Sequence, residues 1–235
     1  MCYNDTKSKT RLKEKDLACY VRLMRRRDVT PVTEIDREVF PTLWPPVNYK
    51  RDLENRMAHY IVTCDEKKRT EELEMDVSSE KNPSGLRSRV RRLFNYNRFF
   101  RYEPLKPGKE HITGFAGFWI MLREAHITSI AVRETRRHQG IGELLLMSVI
   151  NLATELNTRI ITLEVRVSNT IAQGLYYKYG FIQTGLRRHY YIDNKEDAII
   201  MSTENITSVS FQKHLQELKQ AHSRKWGMLF YQIVR

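Results

Sequence analysis

A pair of glycines between a strand and a helix constrains the fold of this chain more than any other feature. The run His126 to Val132 is short, apolar and rich in β-branched residues, which is typical of a buried strand. The stretch Glu143 to Glu155 is rich in Leu, Met, Ile and Ala and predicts a helix. Gly140 and Gly142 lie between them, so the chain turns from strand to helix within a few residues. This pattern indicates an α/β domain.

The turn itself, Arg136 to Gly142, has the features of an anion-binding loop. Glycine lets backbone N–H groups approach a ligand closely, and the first turn of a helix offers unpaired donors and a partial positive charge. Together they bind phosphate or pyrophosphate. The loop is neither the three-glycine dinucleotide motif nor a P-loop, because no Gly-Lys-Ser/Thr follows. By turn chemistry alone, a plain strand–turn–helix connection explains it equally well.

A second group of polar residues lies on and after the strand predicted over Arg159 to Val167, whose residues alternate from Ile161 to Val167. Its apolar residues take odd positions, and Glu164 takes an even one, as in a strand with one buried face. Ser168-Asn169 should cap the next helix, which runs to Tyr179 and stops at Gly180. Tyr176 lies two helical turns after Asn169, so a carboxylate, an amide and a phenol can converge on one cleft. The alternatives are a solvent-exposed strand face and, for Tyr176, a core aromatic residue.

Further strands and helices are expected around these blocks. A helix should have Thr30 as its N-cap and Pro31 at its first position. It should end near Phe40-Pro41, because a residue before proline avoids the helical region. A second short helix is expected over residues 49–57. The other predicted strands cover residues 18–24, 59–64, 112–122 and 196–201, and one more starts at residue 181.

Three segments are expected outside the compact core of a domain over residues 17–203. Residues 1–16 are predicted to be a disordered lead-in, and residues 204–235 a helical extension that packs on the domain or on a partner. Residues 65–110 are predicted to be a long insertion, in which residues 86–102 form a basic amphipathic helix with aromatics. That helix either folds back over the domain or contacts RNA, a ribosome or a lipid surface.

Composition excludes several classes of protein. The chain has 235 residues, enough for one domain with additions, and contains no apolar run of about 18 residues that would predict a membrane span. The N-terminus lacks an apolar signal region, and Cys2, Cys19 and Cys64 have no paired spacing, so neither a disulfide framework nor a metal site is expected. A cytoplasmic location fits these features. The net charge of +12 indicates either an acidic partner such as RNA or ordinary basic solubility.

Four sequence blocks occur in a fixed order along the chain. They are Ile130-Ala131-Val132 with Arg137-x-x-Gly140-x-Gly142, Leu163-Glu164-Val165-Arg166-Val167-Ser168-Asn169, Leu175-Tyr176-Tyr177-Lys178-Tyr179-Gly180-Phe181, and Tyr190-Tyr191 followed by Glu196-Asp197-Ala198-Ile199-Ile200-Met201. Together they resemble the ribosomal-protein-alanine N-acetyltransferase family (the Rim type) and the archaeal and eukaryotic subunits that acetylate protein N-termini. The resemblance is close over residues 112–203 and loose over 18–64. It implies an α/β GNAT (acyl-CoA N-acyltransferase) fold, a mixed central sheet flanked by helices.

The resemblance also implies a role for each candidate residue. Glu164 would be the proton acceptor and Tyr176 the proton donor, and the thioester would lie where the strands bearing Val132 and Glu164 diverge. The acetyl-CoA site would be formed by Ile130, Ala131, Val132, Arg137, His138, Gln139, Gly140, Ile141, Gly142, Glu143 and Asn169. The peptide groove would be bordered by Phe40, Pro41, Tyr190 and Tyr191.

Glu143 departs from the family pattern. It opens the helix beside the expected pyrophosphate, where related proteins often carry a basic residue. A carboxylate there suits the helix dipole but adds a like charge near the phosphates, which would weaken cofactor binding.

The implied chemistry is self-consistent without a nucleophilic cysteine. A peptide α-amine has a pKa near 7.7–8.0 and needs only a modest base, whereas a lysine side chain near 10.4 asks more of the same carboxylate. Backbone N–H groups of residues 130–132 can stabilise the oxyanion formed by direct attack on the thioester.

The expected function is therefore transfer of an acetyl group from acetyl-CoA to the N-terminal α-amine of a protein, a ribosomal protein of the N-terminal Ala type. Two alternatives remain open. The first is a GNAT enzyme that acetylates a lysine or a small amine, and the second is a non-catalytic CoA-binding module that docks on RNA or a ribosome.

Overall fold

A computed structural model describes residues 19–41, 47–65, 111–227 and 230–234, the last of these as backbone. Its centre is one mixed sheet. The eight strands are β1 (Cys19–Leu23), β2 (Ala58–Asp65), β3 (His111–Met121), β4 (Glu124–Val132), β5 (Ile160–Arg166), β6 (Phe181–Arg187), β7 (Ala198–Thr203) and β8 (Phe230–Val234). Their order in the sheet is β6-β7-β5-β4-β3-β2-β1-β8. Neighbouring strands are antiparallel except for the parallel pairs β4–β5 and β1–β8.

Helices cover both faces of the sheet. They are α1 (Val29–Val39), α2 (Tyr49–Asp52), α3 (Ile141–Glu155), α4 (Thr170–Lys178) and α5 (Val209–Trp226). Because side chains alternate along a strand, β1 sends Val21 to one hydrophobic cluster and Tyr20 to another. The first cluster packs against α3 and α5, and the second against α1 and α2. The fold is therefore a three-layer arrangement with the sheet in the middle.

A β-bulge in β4 opens the middle of the sheet. Gly117 of β3 pairs with Ser129, but the next residue, Phe118, pairs with Ile127, so Thr128 is an extra residue in β4. Pairing between β4 and β5 runs from Glu124 only as far as Ile127. Beyond that point β4 continues with β3 and β5 continues with β7. The two parallel strands therefore diverge at the bulge.

Two predicted helices have different bounds in the structure. The N-cap of α1 is Asp28, not Thr30, because a short 3₁₀ turn over Arg26–Asp28 leads directly into the helix. Pro31 is tolerated at the third position, since the first N–H groups of a helix lack intrahelical partners. The second helix ends at Asp52, well short of residue 57. The predicted end of α1 near Phe40 is confirmed.

The predicted helical extension over residues 204–235 is wrong for its last part, which forms a strand. Helix α5 ends at Trp226, and its C-cap Gly227 has a φ of 88°, in the region that favours glycine. The chain then forms β8, which pairs with the outer edge of β1. An open strand edge has unpaired backbone groups, and β8 satisfies those of β1.

Some expectations lie outside the described residues. These are the disordered lead-in over 1–16, nearly all of the 65–110 insertion and the basic helix over 86–102. Among the helices that the structure does describe, none combines the length and the apolar character needed to cross a membrane.

We predict that Asp28→Ala lowers the free energy of unfolding by about 3–5 kcal/mol, because it removes the carboxylate that compensates a buried guanidinium. Arg22 is 1% exposed, and its Nη1 and Nη2 lie 2.6 and 2.9 Å from the two carboxylate oxygens of Asp28. Urea unfolding measures the loss. The control is Arg26→Ala, which breaks an exposed pair with Glu54 and should cost less than about 1 kcal/mol. Equal losses in the two variants would contradict the prediction.

Candidate active site

The gap between β4 and β5 is lined by backbone N–H groups of β4. Arg133 N–H donates to Thr113 O of β3 at 2.9 Å. In an antiparallel pair, successive residues direct their N–H and C=O groups to opposite sides. Ala131 therefore also bonds toward β3, whereas Ile130 and Val132 direct their N–H groups toward the gap. Of the three residues predicted to present backbone to the cofactor, two face the gap and Ala131 does not.

Glu164 lies on β5 at the start of the gap. Its side chain is 7% exposed, and each of its oxygens contacts a nitrogen atom of another side chain. His126 Nε2 lies 3.0 Å from Oε2, and Arg187 Nε lies 3.1 Å from Oε1. The odd-numbered residues of β5 are buried in the first cluster, so Glu164 points to the opposite face of the sheet, as predicted.

A chain of polar contacts extends from Glu164 to the surface. His126 Nδ1 lies 3.0 Å from Thr162 Oγ1, and that hydroxyl donates to Glu124 Oε1 at 2.7 Å. Because Thr162 has only one hydroxyl proton, it accepts from His126 Nδ1–H. His126 Nε2 faces a carboxylate, which can only accept. The three contacts are all hydrogen bonds when both ring nitrogens of His126 carry protons.

These contacts keep Glu164 ionised. The hydrogen bond from His126 lowers the pKa of the Glu164 carboxyl; burial opposes this change, and the charges of His126 and Arg187 lower the pKa further. The net effect is a pKa below the ordinary range for Glu. Glu164 is therefore a charged hydrogen-bond acceptor at neutral pH, and a weaker proton acceptor than an unperturbed carboxylate.

Two tyrosines after β6 lie beside this carboxylate. The rings of Tyr190 and Tyr191 meet edge to face at 5.2 Å. The Arg187 guanidinium lies 5.7 Å from the Tyr190 ring centroid, and that of Arg166 lies 3.8 Å from the Tyr191 centroid. Burial raises the pKa of Tyr191 to about 12, and the charge of Glu164 contributes to the increase. Tyr190 is 44% exposed and forms part of the surface.

Tyr176 is partly buried on α4, with its ring centroid 5.6 Å from that of Phe181. Burial raises its pKa, and interaction with Tyr191 raises it further. Tyr191 is thus within electrostatic range of both Tyr176 and Glu164. The two predicted catalytic residues therefore share one electrostatic partner. Tyr176 also packs on the first cluster, so the core-aromatic interpretation describes part of its role.

Arg166 holds the loop that carries the two tyrosines. Its guanidinium contacts both oxygens of Asp193 at 2.8 and 3.0 Å, Asn194 Oδ1 at 3.0 Å and Glu196 Oε2 at 3.1 Å. The other oxygen of Glu196 accepts Ser168 N–H at 2.7 Å. Hydrogen bonds from Ser168, and further contacts that include Arg166, lower the pKa of Glu196 to about 2. The loop after β6 is therefore tied to the end of β5 by charge-assisted bonds.

The glycine loop adjoins the gap. Gly140 is the N-cap of α3, with φ 78° and ψ 0°, so the N–H groups of the first turn have no capping side chain. A methyl group built on Gly142 would lie 3.8 Å from Val132 Cγ2, which shows that the loop touches the end of β4. The structure thus joins a helix N-terminus, which favours phosphate, to a gap lined by backbone donors.

Glu143 does not leave an uncompensated charge beside the loop. Its Oε1 accepts hydrogen bonds from Lys178 Nζ at 2.5 Å and from the Tyr179 hydroxyl at 2.8 Å. Burial raises the pKa of Glu143, but these contacts outweigh it and the net pKa is lowered. The expected repulsion of phosphate is therefore offset by Lys178. The pair also ties the end of α4 to the start of α3.

The other predicted loop residues are Arg137, His138 and Gln139. His138 has φ 59°, and the Gln139 amide reaches Thr135 O at 3.5 Å. Arg137 is 42% exposed and lies 3.4 Å from Glu134. Its side chain is therefore close to the surface of the loop.

Asn169, Phe40 and Pro41 lie in different environments. Asn169 Oδ1 accepts Ala172 N–H at 3.1 Å, which confirms it as the N-cap of α4. Phe40 packs on the second cluster below α1, and Pro41 is exposed. The predicted groove residues thus fall into two groups: Phe40 and Pro41 at the end of α1, and the tyrosine pair after β6.

Sequence reasoning missed His126, Arg187 and Thr162. The available signal was a titratable residue, His126, within an otherwise apolar strand. Its pairing opposite Thr162 depends on the register of β4 and β5, which the sequence does not show.

We predict that His126→Ala raises the pKa of Glu164, because it removes the largest cause of the lowered value. A ¹³C NMR titration of labelled glutamate carboxyls measures this. The lowered pKa of Glu164 stabilises the folded protein at higher pH, and this stabilisation is lost as the pH falls through that pKa. The difference in stability between wild type and His126→Ala should therefore shrink in acid. Arg187→Ala, which removes a half-exposed partner of Glu164, should raise the pKa of Glu164 less than His126→Ala does. An unchanged Glu164 pKa in His126→Ala would refute the assignment.

Comparison with known proteins identifies the family. Residues 69–181 match the Acetyltransferase (GNAT) family. A provisionally named ribosomal protein bS18-alanine N-acetyltransferase of Bacillus subtilis (strain 168) is 35% identical over 182 residues, which are 77% of this chain and 92% of the relative. The ribosomal protein bS18-alanine N-acetyltransferase of Escherichia coli (strain K12) is 36% identical over 107 residues, 45% of this chain and 71% of the relative.

A crystal structure of the ribosomal-protein-S18-alanine N-acetyltransferase from Escherichia coli shares the fold. It superposes with a TM-score of 0.55 at 21% sequence identity, covering 80% of this chain and 94% of that chain. The predicted GNAT fold is confirmed. The chain belongs to the GNAT family of acetyltransferases.

Proposed function

We propose that this protein transfers an acetyl group from acetyl-CoA to the N-terminal α-amine of a protein, with a ribosomal protein as substrate. The observation that carries the proposal is the ionised Glu164 at the start of a gap lined by β4 amides and continuous with the glycine loop. Two relatives are named as ribosomal protein bS18-alanine N-acetyltransferases, which supports the choice of substrate.

GNAT acetyltransferases use acetyl-CoA as the acetyl donor, and the thioester supplies an activated acetyl group. In this chain the first turn of α3 would hold the phosphates, since its N–H groups point out of the helix end. The amides of Ile130 and Val132 would hold the part of the cofactor in the gap and stabilise negative charge on the acetyl oxygen.

Glu164 would hold the substrate nitrogen and take its proton. Its lowered pKa makes it a poor base toward a free ammonium ion, so the proton is best taken late, after nitrogen has bonded to the acetyl carbon and become more acidic. An α-amine suits this site better than a lysine, since its pKa is more than two units lower. Arg187 is 55% exposed, so its side chain can move aside and free Oε1 for the substrate.

Tyr176 would donate the proton to the departing sulfur. Burial raises its pKa, so the phenol keeps its proton throughout the neutral range and acts as a donor, not as a base. Tyr190 and Tyr191 would border the peptide groove, fixed by Arg187 and Arg166. Phe40 and Pro41 would border its other side.

We expect transfer only to a free N-terminus. A peptide with a free N-terminal Ala should be acetylated, whereas the same peptide with a blocked N-terminus and an internal lysine should not, because the weak base does not match a side chain with pKa near 10.4. Mass spectrometry after incubation with acetyl-CoA measures both. Transfer only to the lysine would move the assignment to a lysine acetyltransferase, and transfer to neither would favour a small amine or a non-catalytic module.

Glu164→Gln should lower kcat by ~10² or more while leaving CoA affinity within about twofold, because the residue acts on the substrate nitrogen. Tyr176→Phe should also lower kcat by ~10², since it removes the donor and retains the ring. Steady-state kinetics and calorimetric titration with CoA provide the two readouts. Glu204→Gln, an exposed substitution after β7, is the matched control. Full activity in Glu164→Gln would remove that residue from the mechanism.

A further inference from the structure

Helix α5 reaches the glycine loop although it lies beyond the part of the chain that matches the GNAT family. Leu215 is 2% exposed within the first cluster, and His214 Nε2 lies 3.0 Å from the carbonyl of the last residue of α4. Lys219 Nζ donates to Asn151 Oδ1 of α3 at 2.6 Å. The helix therefore packs across both α3 and α4, and its C-terminal end lies beside their junction with the loop.

His222, near the end of α5, contacts the backbone of the loop. It is 2% exposed, and its Nε2 lies 3.0 Å from Gly140 O. That carbonyl also accepts Leu144 N–H at 2.9 Å, the first helical hydrogen bond of α3. Since a carbonyl only accepts, His222 Nε2 carries a proton and donates it. Burial lowers the pKa of His222, and the neutral ring with its proton on Nε2 is sufficient for this bond.

The hydrogen bond to Gly140 O also fixes the direction of the Ile141 N–H group, which belongs to the same peptide. In a trans peptide the C=O of one residue and the N–H of the next are antiparallel, so the direction of Gly140 C=O determines that of Ile141 N–H. Ile141 is the first residue of α3, and its N–H is one of those that lack an intrahelical partner. The glycine backbone itself is flexible, so the hydrogen bonds from His222 and Leu144 together restrain this peptide. His222 thus restrains the group that would meet a phosphate.

Trp226 covers the same glycine. A methyl group built on Gly140 would lie 2.7 Å from both Cδ1 and Nε1 of Trp226, so the indole occupies the space where a side chain would be. The indole Nε1 is buried and, within the described part of the chain, has no hydrogen-bond acceptor. Lys225 Nζ lies 4.9 Å from the same ring. An aromatic ring, a donor and a cation therefore sit beside the proposed phosphate loop.

We propose that α5 completes the acetyl-CoA site, with His222 and Trp226 as positioning residues that hold the Gly140–Ile141 peptide in its phosphate-binding orientation. The proposal rests on the proposed function only in that CoA is the ligand. Restraining a flexible loop before binding reduces the entropy lost on binding, so these residues act on affinity and not on the chemical step. The acetyl-CoA site then includes a helix that lies after residues 69–181, the range that matches the family model.

The test compares variants of the full chain with wild type by two measurements. Calorimetric titration gives the Kd of CoA, and steady-state kinetics give the KM of acetyl-CoA and kcat. His222→Ala and Trp226→Ala should each raise the Kd of CoA and the KM of acetyl-CoA ~10-fold, with kcat within about twofold, as expected for loss of one restraining contact. His222→Gln places an amide N–H near the position of Nε2 and should restore most of the affinity. Trp226→Phe keeps an aromatic ring over Gly140 and should do the same.

Lys219→Ala is the control, because it removes a contact of the same helix away from the loop and should leave both constants unchanged. Thermal unfolding of each variant establishes that it is folded, and the two conservative variants carry the test if an alanine variant is not. The proposal is overturned if CoA binds both alanine variants within about twofold of wild type, or if kcat falls and KM does not change. If wild type binds CoA but acetylates no amine, only the proposed function is wrong. If wild type binds no CoA, the proposed function and the proposed role of α5 are both wrong.

Discussion

The separation of β4 from β5 at Thr128 is the constraint on which the rest of the structure depends. A bulge places one extra residue in β4, so the strand bends and its later residues exchange faces. Ala125 and Ile127 pack in the first cluster, whereas Ala131, beyond the bulge, packs in the second. The amides of β4 that would otherwise pair with β5 are left facing a gap. A continuous sheet would have no such opening.

Electrostatic compensation makes the polar side of β5 possible. Glu164 and Arg166 lie on the face opposite the buried residues, and each has polar partners. These are His126 and the guanidinium of Arg187 for Glu164, and the carboxylates of Asp193 and Glu196 for Arg166. A partly buried charge is costly without such partners. The same contacts give the two residues different roles, because the contacts of Glu164 lower its basicity and those of Arg166 immobilise a loop.

Contacts from other segments of the chain restrain the flexible backbone of the glycine loop. Glycine permits the left-handed backbone at Gly140, but a flexible loop is a poor ligand site unless other groups restrain it. His222 and Trp226 of α5 supply that restraint on one side. Glu143, bonded to Lys178 and Tyr179, links the adjoining helices. The departure from the family pattern at Glu143 is thus part of a local ion pair.

The sequence by itself determined the order along the chain of the described strands and helices from β1 to α5, the glycine loop and the alternation that directs Glu164 away from the core, because these depend on local periodicity and turn chemistry. It also carried the motifs that indicated the family. Only the tertiary structure decided the partners of Glu164, since His126 meets it through the register of two strands far apart in the chain. The same holds for the contact of α5 with Gly140 and for β8, which forms because the edge of β1 is available. Contacts between distant segments depend on packing, which local sequence patterns do not encode.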